Sequence, residues 1–329
     1  MSSFLKFTKK IPGTVYSIVL LVVFFSLVNS RFLNPLNLNN ILKNASILTI
    51  VAMGVTMVML SAKMDLSVGY VMSLSAIVAS MIITSREETT IGLIILGCLA
   101  GVAVGVIFGF FNGIMIGKYK FDYWLITFSS MAIAQGLSLV VSNGRIISGY
   151  SKNFRALADG RILGISSIII VAVFICAIMI FISTRTRFGY AIYSVGDSEE
   201  CANKSGINVT KTRIWIYVIS GLMAGLGGIL LASKTNSASS ALGMGYEFNA
   251  IAAVVVGGTP SEGGRGGLLG TVFGSIFIAV MKSGLQFVGL TAHWQTLMIG
   301  FFIMAIIVSD VTISKLKLKK ELRRIYKDA

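Results

Sequence analysis

The sequence predicts an all-α integral membrane protein with about ten transmembrane helices. Of its 329 residues, 55% are hydrophobic and only 12% are charged, and the apolar residues are concentrated in long runs. Soluble globular domains have about 25% charged residues. The 35 glycines are typical of closely packed transmembrane helices, because small residues let helix backbones approach one another. The lipid bilayer is therefore the expected solvent of this chain.

Ten apolar runs can each supply one span, since a hydrocarbon core of about 30 Å takes roughly 20 helical residues. The runs lie at residues 14–31, 45–62, 66–84, 91–117, 124–142, 163–183, 213–233, 243–258, 267–290 and 295–310. The first is too long for the apolar part of a signal peptide and is predicted to be an uncleaved anchor. The strongly apolar part of the eighth is too short to cross alone. A crossing with an irregular, glycine-containing start is favoured there, and a broken helix is the alternative.

Positive charge predicts the orientation. With a cytoplasmic N-terminus, most of the 28 Lys and Arg residues fall on the cytoplasmic side, as the positive-inside rule requires. Within a single transmembrane domain, 1–329, this assigns residues 1–13 to a cytoplasmic N-tail, 184–212 to a cytoplasmic loop and 311–329 to a basic cytoplasmic C-tail. The net charge of +15 is spread beside the membrane, so no nucleic acid partner is expected.

An internal repeat is predicted from several weak matches in the same order. Residues 54–63 (GVTMVMLSAK) align with residues 225–234 (GLGGILLASK), and Trp124 aligns with Trp294. Spans 2–5 and 7–10 are therefore interpreted as two copies of one unit. The copies face opposite ways because equivalent spans are five crossings apart, which is an arrangement typical of transporters. The alternative is a chance alignment of two glycine-rich apolar segments.

Six glycines at four-residue spacing lie on the fourth span, at residues 97, 101, 105, 109, 113 and 117. This pattern predicts a groove in which another helix lies in close contact. Two polar clusters flank the apolar runs, one with Asp65 and Ser67 and one with Tyr246, Glu247 and Asn249. Such groups either cap or solvate a helix end or line a polar pathway, and the residues alone leave both interpretations open.

The longest polar interruption, residues 184–212, is predicted to contain a short helix outside the membrane. Its cap is Asp197 or Ser198, its first turn carries Glu199 and Glu200, and Gly206 suits its C-terminal end. We interpret this loop as a docking element for a cytoplasmic partner. A solvated connector is the alternative.

No catalytic or metal-binding signature is found in the sequence. The glycine-rich segment 257–267 lacks the G-x-x-x-x-G-K-[ST] pattern of a phosphate-binding loop, which is absent from the whole sequence. Three isolated cysteines and one histidine predict neither a disulfide framework nor a metal centre. We therefore expect a protein that is not an enzyme and has no cofactor of its own.

Five motifs, taken in order, resemble those of the permease subunits of ribose-type ABC importers, which move monosaccharides and related compounds. They are residues 65–69 (DLSVG), 112–113 (NG), 187–189 (RFG) continuing through Gly196 to 205–207 (SGI), 245–247 (GYE) with 250–254 (AIAAV), and 257–259 (GGT) with 263–266 (GGRG). The resemblance covers about residues 42–310.

This resemblance implies a permease in the bacterial cytoplasmic membrane that works with three partners. These are a cytoplasmic ATP-binding-cassette ATPase that uses the ATP, an extracytoplasmic sugar-binding protein and a second permease copy. The implied substrate-pathway residues are Asp65, Ser67, Asn112, Gln135, Tyr246, Glu247 and Asn249. The implied ATPase-coupling residues are Arg187, Gly189, Gly196, Asp197, Glu199, Glu200 and Gly206.

Several positions depart from the family pattern. Gln135 stands where Arg is common and Asn249 where Asp is common, so the sugar itself is not predicted. An ion-coupled secondary carrier is the alternative function, but it would need ionisable groups in mid-membrane, and only Lys282 is clearly such a residue. A passive channel is less favoured because no repeated selectivity-filter segment is found.

Overall fold

The computed structural model describes residues 13–86, 88–291, 293–295, 297–298, 300–301, 304–305 and 308. Most of these residues are helical, which confirms the predicted all-α class. The helices are α1 (Gly13–Val28), α2 (Pro35–Leu60), α3 (Val68–Ile83), α4 (Ile91–Gly117), α5 (Tyr123–Ser142), α6 (Lys152–Asp159), α7 (Ser167–Arg185), α8 (Arg187–Asp197), α9 (Glu199–Lys204), α10 (Val209–Thr235), α11 (Tyr246–Val256) and α12 (Leu268–Phe287). A 3-10 turn covers Ser30–Leu33, and the short strands are β1 (Ile147–Ser148), β2 (Arg161–Ile162), β3 (Ile165–Ser166) and β4 (Ser237–Ala238).

Six of these helices, α2, α4, α5, α7, α10 and α12, are long and apolar enough to cross a membrane. The apolar helices α1, α3 and α11 are shorter. All nine coincide with predicted spans. Part of the tenth predicted span, 295–310, lies outside the described residues, as do most of the N-tail and the whole C-tail. The count of ten crossings and the inverted repeat therefore stay predictions.

The helices α2 and α10 form the centre of the bundle and are buried along most of their length, whereas α4, α5 and α7 expose most of their apolar surface. Local sequence sets the limits of the two central helices. At the start of α2, the Asn34 side chain accepts a hydrogen bond from the Leu36 N–H, and Pro35 occupies the first helical position. At the end of α10, Asn236 adopts a left-handed conformation with φ 54°.

The glycines of α4 bring it into direct backbone contact with α10, as their spacing predicts. A Cβ atom at Gly105 would overlap the carbonyl oxygen of Gly221, and one at Gly109 would overlap that of Tyr217. At Gly113 it would lie 2.8 Å from the Cα of Ile214. Because real Cβ atoms do not approach so closely, residues larger than glycine would separate the two helices.

Two junctions interrupt the bundle. The first junction (residues 61–69) is the non-helical segment 61–67 with the first residues of α3, and the second junction (residues 236–247) is the non-helical segment 236–245 with the first residues of α11. The first leads from α2 into α3 and the second from α10 into α11. The two meet, because a Cβ atom at Gly69 would lie 2.7 Å from the carbonyl oxygen of Gly243. Helix α11 has 11 residues and is about 16 Å long, so it spans only half of a hydrocarbon core.

Loops at the two ends of α7 mark the two ends of the bundle. Near its start, β1 pairs with β4 and β2 pairs with β3, and Lys43 forms an ion pair of 2.6 Å with Asp159. Near its end lie α8 and α9, which fall within the predicted cytoplasmic loop. With 19 residues, α7 separates the two ends by about 28 Å, close to the thickness of a hydrocarbon core.

Candidate functional site

Asp65 lies in the first junction with 1% of its surface exposed. Its Oδ1 accepts hydrogen bonds from the N–H of Ser67 at 3.0 Å and from the Ser67 hydroxyl at 2.6 Å. Its Oδ2 accepts one from the Ser220 hydroxyl of α10 at 2.8 Å. Asn112 of α4 donates to the Ser67 hydroxyl oxygen at 3.1 Å and accepts from the Ser130 hydroxyl of α5 at 2.5 Å. These five buried side chains connect the first junction to three helices, α4, α5 and α10.

The first junction is thus a closed polar network. Both carboxylate oxygens of Asp65 have donors, and one donor is the backbone N–H of Ser67, the residue just before α3. No side chain caps the first turn of α3 itself, so the capping interpretation stays a prediction. Asp65, Ser67 and Asn112 are all enclosed by protein, and a satisfied buried network of this kind rigidifies the helices that it joins. A role of these three residues in a substrate pathway stays a prediction.

The polar groups of the second junction have fewer hydrogen-bond partners than those of the first. Glu247, 3% exposed, accepts one hydrogen bond from the Gly245 N–H at 3.2 Å through Oε1. Its Oε2 faces Gly69 and has no hydrogen-bond partner within the described part of the chain. The Asn249 amide donates to the Gly245 carbonyl oxygen at 2.5 Å. A buried carboxylate oxygen without a donor is costly, so this junction is less satisfied than the first.

A cavity of about 930 Å³ opens at the end of the bundle that carries the β-strands. It reaches from the connection between α1 and α2 to Leu48 and Ile278, which lie about midway along α2 and α12. Tyr246 and Asn249 of the predicted pathway line it. Other polar lining residues include Asn37, Asn40, Asn44, Gln286, Arg31, Lys234 and Lys282. Amide groups supply both donors and acceptors, which suits a ligand with several hydroxyl groups.

Gln135 lies apart from both junctions. Its side chain is on the exposed side of α5, and it is not among the described residues that line the cavity. The structure therefore groups the predicted pathway residues into a closed set (Asp65, Ser67, Asn112), the partly unsatisfied Glu247, a cavity-lining pair (Tyr246, Asn249) and one outlying residue. The pathway role of Gln135 stays a prediction.

The loop 184–212 contains two short helices, which confirms the prediction of helix outside the long apolar segments. The Thr186 hydroxyl oxygen accepts from the Gly189 N–H at 3.2 Å and caps α8. Ser198, one of the two predicted caps, accepts from the Cys201 N–H at 3.3 Å at the start of α9. Past the end of α9, Gly206 adopts φ +82°, as expected for a glycine that terminates a helix.

Glu199 attaches this loop to the bundle. Its two carboxylate oxygens accept from the guanidinium of Arg213 on α10 at 3.0 and 2.7 Å, and Oε1 also accepts from Lys120 at 2.6 Å. Burial raises the pKa of Glu199, but the hydrogen bonds and charges of Lys120 and Arg213 outweigh that effect and leave the pKa below its usual value. The bidentate pair fixes α9 against the start of α10.

The end of α8 packs beside the first junction. A Cβ atom at Gly196 would overlap the carbonyl oxygen of Leu60, the last residue of α2. The Tyr193 hydroxyl donates to the Gly266 carbonyl oxygen at 3.1 Å, and burial raises its pKa. Likewise, a Cβ atom at Gly189 would overlap the Ser183 carbonyl oxygen. These two glycines are therefore packing positions, whereas Arg187, Asp197, Glu200 and Gly206 are exposed at the surface.

Four residues of these networks were not predicted from the sequence: Lys120, Ser130, Arg213 and Ser220. Each lies far along the chain from its partner, so spacing gave no signal for the contact. Arg213 is the one residue whose position could have indicated an ion pair, because a charged residue in the first turns of a long apolar helix needs a counter-ion. Within the described residues, no group of three or more His, Cys, Asp or Glu residues could hold a metal ion.

The combination of long apolar helices, a polar cavity at one end and an ordered polar loop at the other defines a membrane-embedded permease. Residues 37–307 match the family described as "Branched-chain amino acid transport system / permease component". The chain belongs to this family, and it is a multi-pass membrane protein and a permease subunit, not an enzyme.

Three of its curated relatives illustrate this similarity, and each is a permease of an import or transport system. The ribose import permease protein RbsC of Bacillus subtilis (strain 168) is 36% identical over 301 residues, covering 91% of this chain and 92% of the relative. The D-allose transport system permease protein AlsC of Escherichia coli (strain K12) is 31% identical, with 92% of each chain covered. The autoinducer 2 import system permease protein LsrC of Escherichia coli (strain K12 / DH10B) is 29% identical, with 98% and 93% covered.

Proposed function

We propose that this chain is the membrane-spanning subunit of an ATP-binding-cassette importer for a small sugar or a related compound. The observation that carries the proposal is the pairing of an amide-rich cavity at one end with an ordered polar loop at the other. The names of the ribose and allose relatives support a sugar as the solute. The chain lacks a phosphate-binding-loop pattern, so the ATP is bound and hydrolysed by a partner subunit.

In this proposal, α8 and α9 receive the motion of the ATPase. The exposed side chains of Arg187, Tyr190, Asp197 and Glu200 present mixed charge and an aromatic ring on one surface of the loop. Behind that surface, Glu199 is held by Arg213 of α10, and Gly196 touches the end of α2. A displacement of the loop would therefore reach both central helices directly.

The finer topology is part of the same proposal. Both termini lie in the cytoplasm, ten segments cross the membrane, and spans 2–5 and 7–10 form an inverted repeat. The similar order of elements supports the repeat, since a long buried helix, a junction and a shorter helix follow one another in α2–α3 and again in α10–α11. A second permease copy completes the pathway, and a sugar-binding protein delivers the solute at the end that carries the cavity.

Reconstitution into sealed vesicles tests this function. Vesicles containing the permease, its ATPase and its binding protein should accumulate labelled D-ribose or D-allose when ATP is supplied on the ATPase side. Vesicles containing the permease alone should accumulate neither sugar, with or without a proton or sodium gradient. Gradient-driven accumulation by the chain alone would instead establish the ion-coupled carrier and exclude the proposed importer.

Docking of the ATPase can be tested separately, by its co-purification with variants of the permease. Tyr190→Ala with Asp197→Lys should weaken co-purification of the ATPase, because both side chains are exposed on α8. Lys152→Met, on α6 at the opposite end of the bundle, is the matched control and should leave co-purification unchanged. Equal recovery of the ATPase with both variants would contradict the assignment of the loop as the docking surface.

A further inference from the structure

The charged residues that line the cavity are all positive among those that the structure describes. Three cationic residues line it, Arg31, Lys234 and Lys282, and no carboxylate is among the lining residues that the structure describes. The nearby acid Asp159 already forms an ion pair of 2.6 Å with Lys43. The described lining of the cavity therefore offers cationic groups and no carboxylate, a charge distribution that attracts an anion.

Lys282 is the clearest example of a cavity cation without a counter-ion among the described residues. It lies on α12, one of the helices long enough to span a membrane, and its ammonium group has neither an ion pair nor a hydrogen bond within the described part of the chain. A cation held among apolar helices without a counter-ion is costly and marks a ligand pathway. Within the described residues, the Lys234 ammonium donates to the neutral amide oxygen of Asn44, and that contact does not compensate its charge.

Neutral polyols do not require this arrangement. Hydroxyl groups both donate and accept hydrogen bonds, and the amides of Asn40, Asn44, Asn249 and Gln286 can serve both needs. Lysine and arginine side chains only donate, and they bind carboxylates and phosphates more strongly than they bind neutral oxygens. The amides therefore suit the hydroxyl groups of a sugar, and the cations suit a negatively charged group on the same molecule.

We propose that the cavity takes an anionic sugar derivative, a sugar carboxylate or a sugar phosphate, with Lys282 as the main contact to its charged group. This inference rests on the proposed transport function and deepens it by naming the class of solute. An anionic lipid headgroup shares the same chemistry, so the lipid composition of the test must separate the two sources. The ligand that we propose is the soluble sugar anion.

Binding to the purified full-length chain in nanodiscs of phosphatidylcholine, a lipid without net charge, tests the inference. The probes are D-ribonate, D-ribose 5-phosphate and D-ribose at millimolar concentration, followed by ligand-observed NMR. At least one of the two anions should bind about tenfold more tightly than D-ribose, equivalent to about 1.4 kcal/mol. Its binding should also weaken as salt is added, because ions screen the attraction. Stronger binding of D-ribose than of both anions, or no anion binding, would overturn the proposal.

Variants locate the contact. Lys282→Met keeps the length of the side chain and removes its charge, so anion affinity should fall about tenfold while D-ribose affinity stays unchanged, and Lys282→Arg should retain most of the anion affinity. Lys152→Met removes an exposed cation at the same end and should change neither. If Lys282→Met does not fold, the salt dependence and anion preference of the unmodified chain still decide the question. An unchanged anion affinity in a folded Lys282→Met variant would overturn the assignment.

Three further outcomes distinguish a lipid ligand from a soluble sugar anion, and the anion inference from the importer proposal. If phosphatidylglycerol in the nanodisc displaces the sugar anion completely at physiological salt, the cavity is a lipid site and the inference is wrong. If the assembled importer takes up only neutral sugars with ATP, the importer proposal stands and the anion inference alone fails. If the permease binds anions but accumulates them from an ion gradient without an ATPase, the anion inference stands and the importer proposal fails.

Discussion

The two junctions of the bundle occupy similar places in the fold but differ in how their acids are held. At the first, both oxygens of the Asp65 carboxylate accept hydrogen bonds, from Ser67 and Ser220. At the second, Glu247 has one bonded oxygen and one without a partner among the described residues. The neighbours of Glu247 on α11, Tyr246 and Asn249, line the cavity. The first junction is a closed polar network, and the second lies beside the cavity.

Asp65→Ala should produce the largest loss of stability, because it leaves the buried hydroxyl groups of Ser67 and Ser220 without their acceptor and creates a cavity. We expect a loss of about 3 kcal/mol in the free energy of unfolding. Urea or thermal unfolding of the purified chain in detergent, followed by circular dichroism, measures it. Glu262→Ala removes an exposed acid and is the control, with a change within about 0.5 kcal/mol. A similar stability of the two variants would contradict the structural role of Asp65.

Gly69→Ala tests the contact between the two junctions. A Cβ atom there would overlap the Glu247 carboxylate and would lie 2.7 Å from the carbonyl oxygen of Gly243, so the junctions must separate. We expect a destabilisation of about 1–3 kcal/mol. Gly136→Ala, on α5, is the matched control, since nothing lies within 4 Å of a Cβ atom at that position. Because alanine favours helix more than glycine does, the control should be neutral or slightly stabilising.

If Gly69→Ala and Gly136→Ala had the same stability, the two junctions would not be in contact in the folded chain. If only Gly69→Ala lost stability but both variants bound solute equally well, the contact would be structural alone. The contact between Gly69 and Gly243 is the place where a movement of α11 would be transmitted to α3.

The sequence was sufficient to predict the helices and insufficient to predict most of the contacts between them. Apolar runs and a capping residue such as Ser198 are local signals, so nine apolar helices, six of them long enough to cross a membrane, and the helix at Glu199 were predicted. The partners of Asp65 and Glu199 lie on other helices, so they depend on how the helices rotate against each other. The glycines of α4 were the exception, because their regular spacing already indicates a contact face.

The cavity was likewise not predictable from the sequence. Asn37, Asn40 and Asn44 recur on one helix and could have been read as a polar stripe, but their convergence with Lys234 and Lys282 exists only in the packed bundle. Gln135, which the family resemblance implied as a pathway residue, lies on the exposed side of α5, and its pathway role stays a prediction.

Glu247→Gln should have the smallest effect and should separate the two junctions most directly. Glutamine keeps the acceptor for the Gly245 N–H and removes a carboxylate oxygen that has no donor in the described structure, while losing a favourable charge at the start of α11. These effects oppose each other, so the free energy of unfolding should change by less than about 1 kcal/mol. Asp65→Asn is the matched comparison. It replaces one acceptor of a satisfied network by a donor and should cost about 1–3 kcal/mol. Unfolding both variants in the same detergent measures the difference, and an equal or larger cost for Glu247→Gln would show that the second junction is as firmly closed as the first.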